Sequence, residues 1–275
     1  MIFARDKSQM CNNLLQYAQV YAWGREHGRK VISMRFSYKY QYFRICNTPL
    51  TGFGWYLFAK YLAALGLLPT ADFKRAECDH KALERKMLRH KHIVVSGWNV
   101  RFYDLFLKYR SEICDLFTID EIYTNPVREK MLQEEGEDDN VVRLGVHIRR
   151  GDYAQWKDGI YCYDDETYAR YINCFVNMYA EKKVHVYLST NDGLVRVEQI
   201  QNLCPNAIIH HFHGNAPEDL FMLSECDFLI GPPSTFSLVA AMYKDIPLCR
   251  MDTVEAENMD ADAFRLFDYW FRRII

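Results

Sequence analysis

Val141-Val142-Arg143-Leu144-Gly145-Val146-His147-Ile148-Arg149-Arg150-Gly151-Asp152-Tyr153 is the stretch on which the fold turns. Its first half is an apolar run of the kind buried in a sheet. Its second half places two arginines, a glycine and an aspartate where that strand ends. Arginine is rarely buried unless paired, and its planar fork matches the oxygens of a phosphate. Cations at the carboxyl end of a strand indicate an anion site at a sheet edge, where open α/β folds bind ligands. The alternative for the same residues is a surface turn with solvated charges. Side chains alternate along a strand, so His147 and Arg149 share one side.

Outward from this stretch, strands and helices alternate. Strands are expected over 141–148, 184–189, 207–211, 228–230 and 247–251, with helices over 164–180 (capped by Asp164 and Asp165), up to 202, 217–225 and 236–243. That alternation predicts a parallel sheet covered by helices. Upstream, apolar spacing predicts a helix near 12–22 capped by Asn12 or Asn13. A strand follows at 31–34, further helix signals fall at 102–109 and 126–134, and a helix–strand unit closes at 92–97. The apolar stretch 51–69 is short for a membrane span and is interrupted by Lys60, so it is read as a core or groove helix in preference to a membrane-surface segment. The acidic run 134–140 is either a linker near a domain boundary or a loop within one domain. This reading sets an N-terminal domain over 1–140, a second domain over 141–262 and a terminal helix over 263–275. In that helix Phe264, Phe267, Phe271 and Ile274 share a face.

Composition narrows the classes. The net charge of −2 over 275 residues argues against a general nucleic-acid binder. The nine cysteines are scattered without a C-x-x-C pair, which fits reduced thiols rather than a disulfide framework. No basic-then-apolar leader opens the sequence, so a cytoplasmic location is expected.

Two further constellations carry chemistry. Gly231-Pro232-Pro233-Ser234-Thr235-Phe236-Ser237 reads as strand, tight turn and helix start. Helix N-termini present unpaired N–H groups that attract phosphate, and the hydroxyls of Ser234, Thr235 and Ser237 add donors. Its plain alternative is an N-cap with a proline-stiffened turn. Asp219 either complements a helix dipole or accepts the paired N–H donors of a guanine edge. No G-x-G-x-x-G follows a strand, which disfavours a nicotinamide dehydrogenase. The one D-x-D, Asp260-Ala261-Asp262, falls after the last expected strand and reads as a solvated turn. His211 and His213 share a strand face and lie near Cys204, but no ligand spacing accompanies them, so no metal site is expected.

Residues 147–153 (HIRRGDY) resemble the H-x-R-R-G-D-Y signature of the α-1,2-fucosyltransferases. Residues 11–18 (CNNLLQYA) are similar to that family's G-N-Q-[ML]-F-Q-Y-A segment, and 188–192 (LSTND) to its S-x-D-D element. Residues 219–237 (DLFMLSECDFLIGPPSTFS) are similar to its D-x-x-x-[LM]-S-x-C-x-x-x-I…S-[TS]-F-S block. The resemblance implies an α/β, GT-B architecture, two Rossmann-like domains facing across a cleft. It implies inverting transfer from GDP-fucose to a glycan hydroxyl, in α-1,2 linkage, with no cofactor and no metal. Arg149 would contact the donor β-phosphate with Arg150 supporting it. Thr235 and Ser237 would face the phosphates, with His147 and Ser234 in the same donor site. Asp219 would read guanine, and Asn12 would sit at the cleft from the first domain.

Asp152 is a candidate either for general base, together with Asp158, or for a clamp on an arginine. The family's opening G-G-L-G is replaced by Ser8-Gln9-Met10-Cys11, which removes the close backbone approach that glycine permits. That departure supports a rival reading, a non-catalytic nucleotide-sugar or glycan-binding relic. The C-terminal helix would cross back to the first domain or, through Arg265, Arg272 and Arg273, touch a membrane surface peripherally.

Overall fold

Two parallel sheets, each covered by helices, account for the order of elements. The computed structural model describes residues 1–5, 8–136, 138–193, 195–256 and 259–274. Glu137 of the acidic run and Ile275 of the terminal segment lie outside the described residues. The chain divides into two compact units, Met1–Asp120 and Glu121–Ile275.

In the first unit β1 (Ile2–Arg5), α1 (Met10–Glu26), β2 (Val31–Ser33), α2 (Phe53–Ala64), β3 (Thr70–Asp72), α3 (His80–Arg89) and β4 (Ile93–Ser96) follow one another. The strands pair in parallel in the order β2-β1-β4-β3, and α4 (Tyr103–Lys108) and α5 (Arg110–Leu116) complete the unit. Parallel strands covered on both faces are continuous apolar runs. Accordingly Ile2, Phe3, Ile32, Ile93 and Val95 are fully buried. Helix α1 begins earlier than expected. Gln9 is its N-cap without a side-chain bond, and Asn12 and Asn13 already lie in its first turn. Asn13 Nδ2 instead donates back to the carbonyls of Ser8 (2.6 Å) and Gln9 (2.8 Å). Stretch 51–69 does supply a helix, α2, but it is not a core helix. Of α2 only Ala59 is buried. Its apolar residues run right round the helix, whereas a sheet covers one stripe.

The second unit runs α6 (Glu121–Glu135), β5 (Val141–Ile148), α7 (Asp165–Met178), β6 (Lys183–Thr190), α8 (Val197–Leu203), β7 (Ala207–His210), α9 (Ala216–Ser224), β8 (Phe228–Gly231), α10 (Thr235–Lys244) and β9 (Leu248–Arg250). A short β10 (Phe264–Arg265) and α11 (Phe267–Phe271) close it. The sheet order is β10-β9-β8-β5-β6-β7. All pairings are parallel except β10 on β9. Leu144, Val146 and Ile148 of β5 are fully buried in a cluster with Tyr168, Ile172 and Phe175 of α7.

Two expected boundaries move. The units divide at Asp120–Glu121 rather than at 140, because α6 is fastened to the second sheet. Glu135, at the end of α6, is buried and accepts Arg143 Nε (2.7 Å), Arg143 Nη2 (2.6 Å) and the Tyr187 hydroxyl (2.6 Å). Burial opposes ionisation of Glu135, yet those donors outweigh it and hold the carboxyl below its ordinary value. The acidic run thus begins inside a buried ion pair and not in a linker. The terminal segment is not one amphipathic helix either. Phe264 packs on Phe228 and Phe175, Phe267 and Phe271 are fully buried, and Trp270 Nε1 donates to Leu248 O (2.7 Å). The apolar face expected to cross over or meet lipid belongs to the core of its own unit. Among the described residues no helix is long and apolar enough to cross a membrane.

Candidate active site

From β5 the second sheet grows through β6 and β7 on one side, then returns to β8 and β9 on the other. The order therefore reverses between β5 and β8, and open α/β sheets bind ligands outside the carboxyl ends at such a point. The arginine stretch leaves β5 there and the hydroxyl-bearing turn leaves β8 there. The two are in contact. A Cβ on Gly231 would lie 3.2 Å from both Cβ and O of His147, so the strand tips approach as closely as glycine permits. The Tyr153 hydroxyl donates to the Pro233 carbonyl, and the His147 ring lies 5.1 Å from that of Phe236.

The adjacent arginines do different things. Arg149 forms a two-pronged pair with Asp152, Nε to Oδ1 and Nη2 to Oδ2, both 2.9 Å. Asp152 is half exposed in that pair, so an incoming anion can take its place on the guanidinium. Arg150 points inward instead. It donates to the Tyr163 carbonyl (2.7 Å), pairs with buried Asp165 and reaches Asp192 at 3.5 Å. Its backbone N–H donates to Asn191 Oδ1 (3.2 Å). Arg150 is thus a strut that fixes the loop after β5 against α7 and the loop after β6. The support that the resemblance implies for Arg149 would come through this bracing, with Nε, Nη1 and Nη2 each directed at a protein oxygen. Asp152 is the clamp of the two roles foreseen for it. Burial opposes its charge, but Arg149 outweighs that and holds the carboxyl below its usual value. A base with a depressed pKa is a poor proton acceptor. Asp158 lies in the following turn with positive φ (59°).

The hydroxyl turn is built as the spacing predicted. Ser234 is the N-cap of α10, its Oγ accepting the Phe236 N–H at 3.2 Å. Thr235 opens the helix, and Ser237 Oγ donates to the Ser234 carbonyl (3.2 Å). His147 is buried, with Nδ1 lacking a partner among the described residues. Burial, reinforced by Arg149, pushes its pKa down to about 3, so the ring is neutral near pH 7. Asp219 lies in α9 behind a capping box of Asn215 and Glu218, and accepts the Ser189 hydroxyl at 2.8 Å. Burial raises its carboxyl to about 6, partly offset by Ser189. A Cβ on Gly214 would stand 2.5 Å from Asp219 Oδ1, so glycine there makes room for the carboxylate.

The second unit thus brings His147, Arg149, Asp152, Ser234, Thr235 and Ser237 to one sheet edge, with Asp219 bonded to the tip of β6. Asn12 belongs to the first unit, where its Nδ2 donates to Ser8 Oγ (2.6 Å). Sequence reasoning missed Asp165, which looked like a helix cap. Asp164 is the cap, accepting Thr167 N–H at 2.8 Å. His211 and His213 do share a side, their rings 4.0 Å apart, while His210 pairs with His185 at 3.0 Å. Cys204 is fully buried and donates to the Ala169 carbonyl. Among the described residues no group of three or more His, Cys, Asp or Glu is placed to hold a metal ion.

Comparison with known proteins agrees with this architecture. The model of the family described as glycosyl transferase family 11 matches residues 79–265. No curated protein matches the sequence significantly. Among solved structures, the chain is similar to a mutant of Arabidopsis thaliana FUT1 in complex with GDP. That match has a TM-score of 0.64 at 11% identity and covers 96% of this chain and 72% of that one. It is similar to POFUT1 in complex with GDP-fucose (TM-score 0.58, 11% identity, 89% and 94% covered). It is also similar to the fucosyltransferase NodZ from Bradyrhizobium (TM-score 0.54, 14% identity, 92% and 95% covered). At these identities the likeness shows the α/β fold of two Rossmann-like units.

Proposed function

The chain belongs to glycosyl transferase family 11, and on that premise we propose that it transfers fucose from GDP-fucose to a glycan hydroxyl, inverting the anomeric centre and forming an α-1,2 linkage. One observation carries the reading. The cationic tip of β5 and the hydroxyl turn after β8 meet at the switch point of the sheet, which supports reading that junction as the diphosphate site. FUT1, POFUT1 and NodZ structures contain GDP or GDP-fucose, which supports the choice of donor.

The acceptor hydroxyl oxygen attacks the anomeric carbon from the face opposite GDP and gives up its proton to a base, the role for which Asp158 is the remaining candidate. The glycosidic C–O bond breaks, and its electron pair leaves on the β-phosphate. Negative charge then grows on the diphosphate, and Arg149 exchanges Asp152 for it. Ser234 and Thr235, with the N-terminal end of α10, donate to the same oxygens, and Ser237 braces the turn through its bond to the Ser234 carbonyl. These groups supply the counter-charge without calling on a metal. Such preorganised donors act where charge develops in the transition state. Neutral His147 packs beneath the turn against Phe236, and Asp219 accepts the guanine edge. Arg150 holds the loop that aims Arg149.

The test is a thermal-shift screen of nucleotides on the intact protein, followed by donor turnover against an acceptor panel. GDP should stabilise more than UDP at equal concentration, and GDP-fucose should turn over. Equal stabilisation by both removes the guanine assignment to Asp219. GDP binding without turnover on any acceptor favours the non-catalytic relic.

A further inference from the structure

The second inference concerns the first unit and does not rest on the transferase reading. Between residues 27 and 71 the sequence contains no Asp or Glu, although 36 of the 275 residues are acidic. The same stretch carries Arg35, Lys39 and Lys60. Within it lies α2, whose outer side exposes large apolar groups. Leu65 and Leu67 are 71% and 69% exposed, Tyr61 59% and Phe58 47%. Trp55 extends this surface, with its ring edge-on to Phe58 at 5.8 Å. Tyr38, also exposed, continues it across the Tyr56 ring at 4.9 Å. Contiguous apolar surface of this kind marks an interaction site.

The charges say which partner it fits. The Lys60 ammonium lies over the Tyr56 and Tyr61 rings, 5.6 Å from each, with its stem among the aromatics. Arg35 donates to the Tyr38 hydroxyl, and Lys39 beside it is exposed. An apolar face rimmed by cations and free of acids complements an anionic lipid surface. A second copy seated on the same face would bring cation against cation. Trp and Tyr are enriched at the headgroup level of bilayers, and lysine stems reach past apolar groups to it. At 12 residues α2 is about 18 Å long, well short of the hydrocarbon thickness, so it would lie in the interface rather than span it. We propose that the outer face of α2, with Tyr38 and its neighbouring cations, docks the protein on the surface of an anionic membrane.

Flotation of the full chain with vesicles tests this. Vesicles of phosphatidylcholine are compared with vesicles containing roughly one-third phosphatidylglycerol, at about 0.1 M and about 0.5 M salt. Binding to the anionic vesicles should be stronger by roughly tenfold or more and should fall at the higher salt. Brominated acyl chains should quench part of the tryptophan emission, and Trp55→Phe should remove that quenching while leaving binding. The combined substitution Tyr61→Ser, Leu65→Ser, Leu67→Ser, which spares Phe58 and its contact with buried Phe3, should abolish flotation with an unchanged melting temperature. Lys60→Glu, which leaves the apolar groups in place, should weaken anionic binding alone. Absence of flotation with both vesicle types overturns the proposal, as does flotation undiminished by the triple substitution. A wild-type dimer that the triple substitution converts to monomer, without vesicle binding, assigns the face to a second copy instead.

Discussion

Arg149 and Arg150 are neighbours in sequence, and their replacement by alanine should produce opposite phenotypes. Arg150→Ala leaves Asp165, 4% exposed, with only the exposed Arg196 at 3.8 Å as a cationic partner among the described residues. Breaking a buried pair in this way costs about 3–5 kcal/mol. For a unit of this size that lowers the unfolding transition by about 10 °C. Arg149→Ala frees only Asp152, whose side chain is 53% exposed, so the stability change should stay below about 1 kcal/mol. The rate effects reverse. Arg149→Ala should slow donor turnover on the order of 10²–10³-fold, the usual loss when one preorganised donor to a developing charge is removed. Calorimetry and urea melts of both proteins, followed by turnover assays well below the melting temperature, give the comparison. The reasoning is refuted if Arg150→Ala unfolds within about 1 kcal/mol of wild type, or if Arg149→Ala retains near-normal turnover.

Two further perturbations bear on the site and on the unit boundary. Burial raises the Asp219 carboxyl to about 6, so the folded chain holds that proton more tightly than the unfolded chain does. The stabilisation is complete below the unfolded pKa and is lost as pH rises through about 6. Asp219→Asn should therefore raise the melting temperature more at about pH 8 than at about pH 4, and equal gains at both would count against it. GDP affinity, which needs the carboxylate, should fall in wild type as pH drops through about 6 and stay flat in Asp219→Asn. Expressed alone, residues 121–275 should unfold cooperatively, whereas 141–275, lacking α6 and Glu135, should not. Equal cooperativity of the two fragments would remove the role given to the Glu135–Arg143–Tyr187 cluster.

Much of the second unit was legible in the sequence, because its strands are short apolar runs separated by capped helices. The expected strand at 141–148 is β5, and Asp164 caps α7 as its position suggested. What eluded the sequence was pairing at a distance. Arg149 and Arg150 look alike in one dimension. Their partners lie three residues away for one, and 15 and 42 away for the other. Periodicity likewise read 263–275 as one helix, because a phenylalanine row does not reveal that Phe264 pairs with Cys249 in a sheet. Stretch 51–69 shows the converse limit. Apolarity indicated a helix, but not whether anything covers it.

The bond from the Tyr153 hydroxyl to the Pro233 carbonyl joins positions 80 residues apart. It ties the two strand exits together through protein groups alone, so their mutual position is set by the fold. A nucleotide bound there as proposed would meet a junction already fixed by the fold, and its association would avoid the entropy loss that a folding lid imposes.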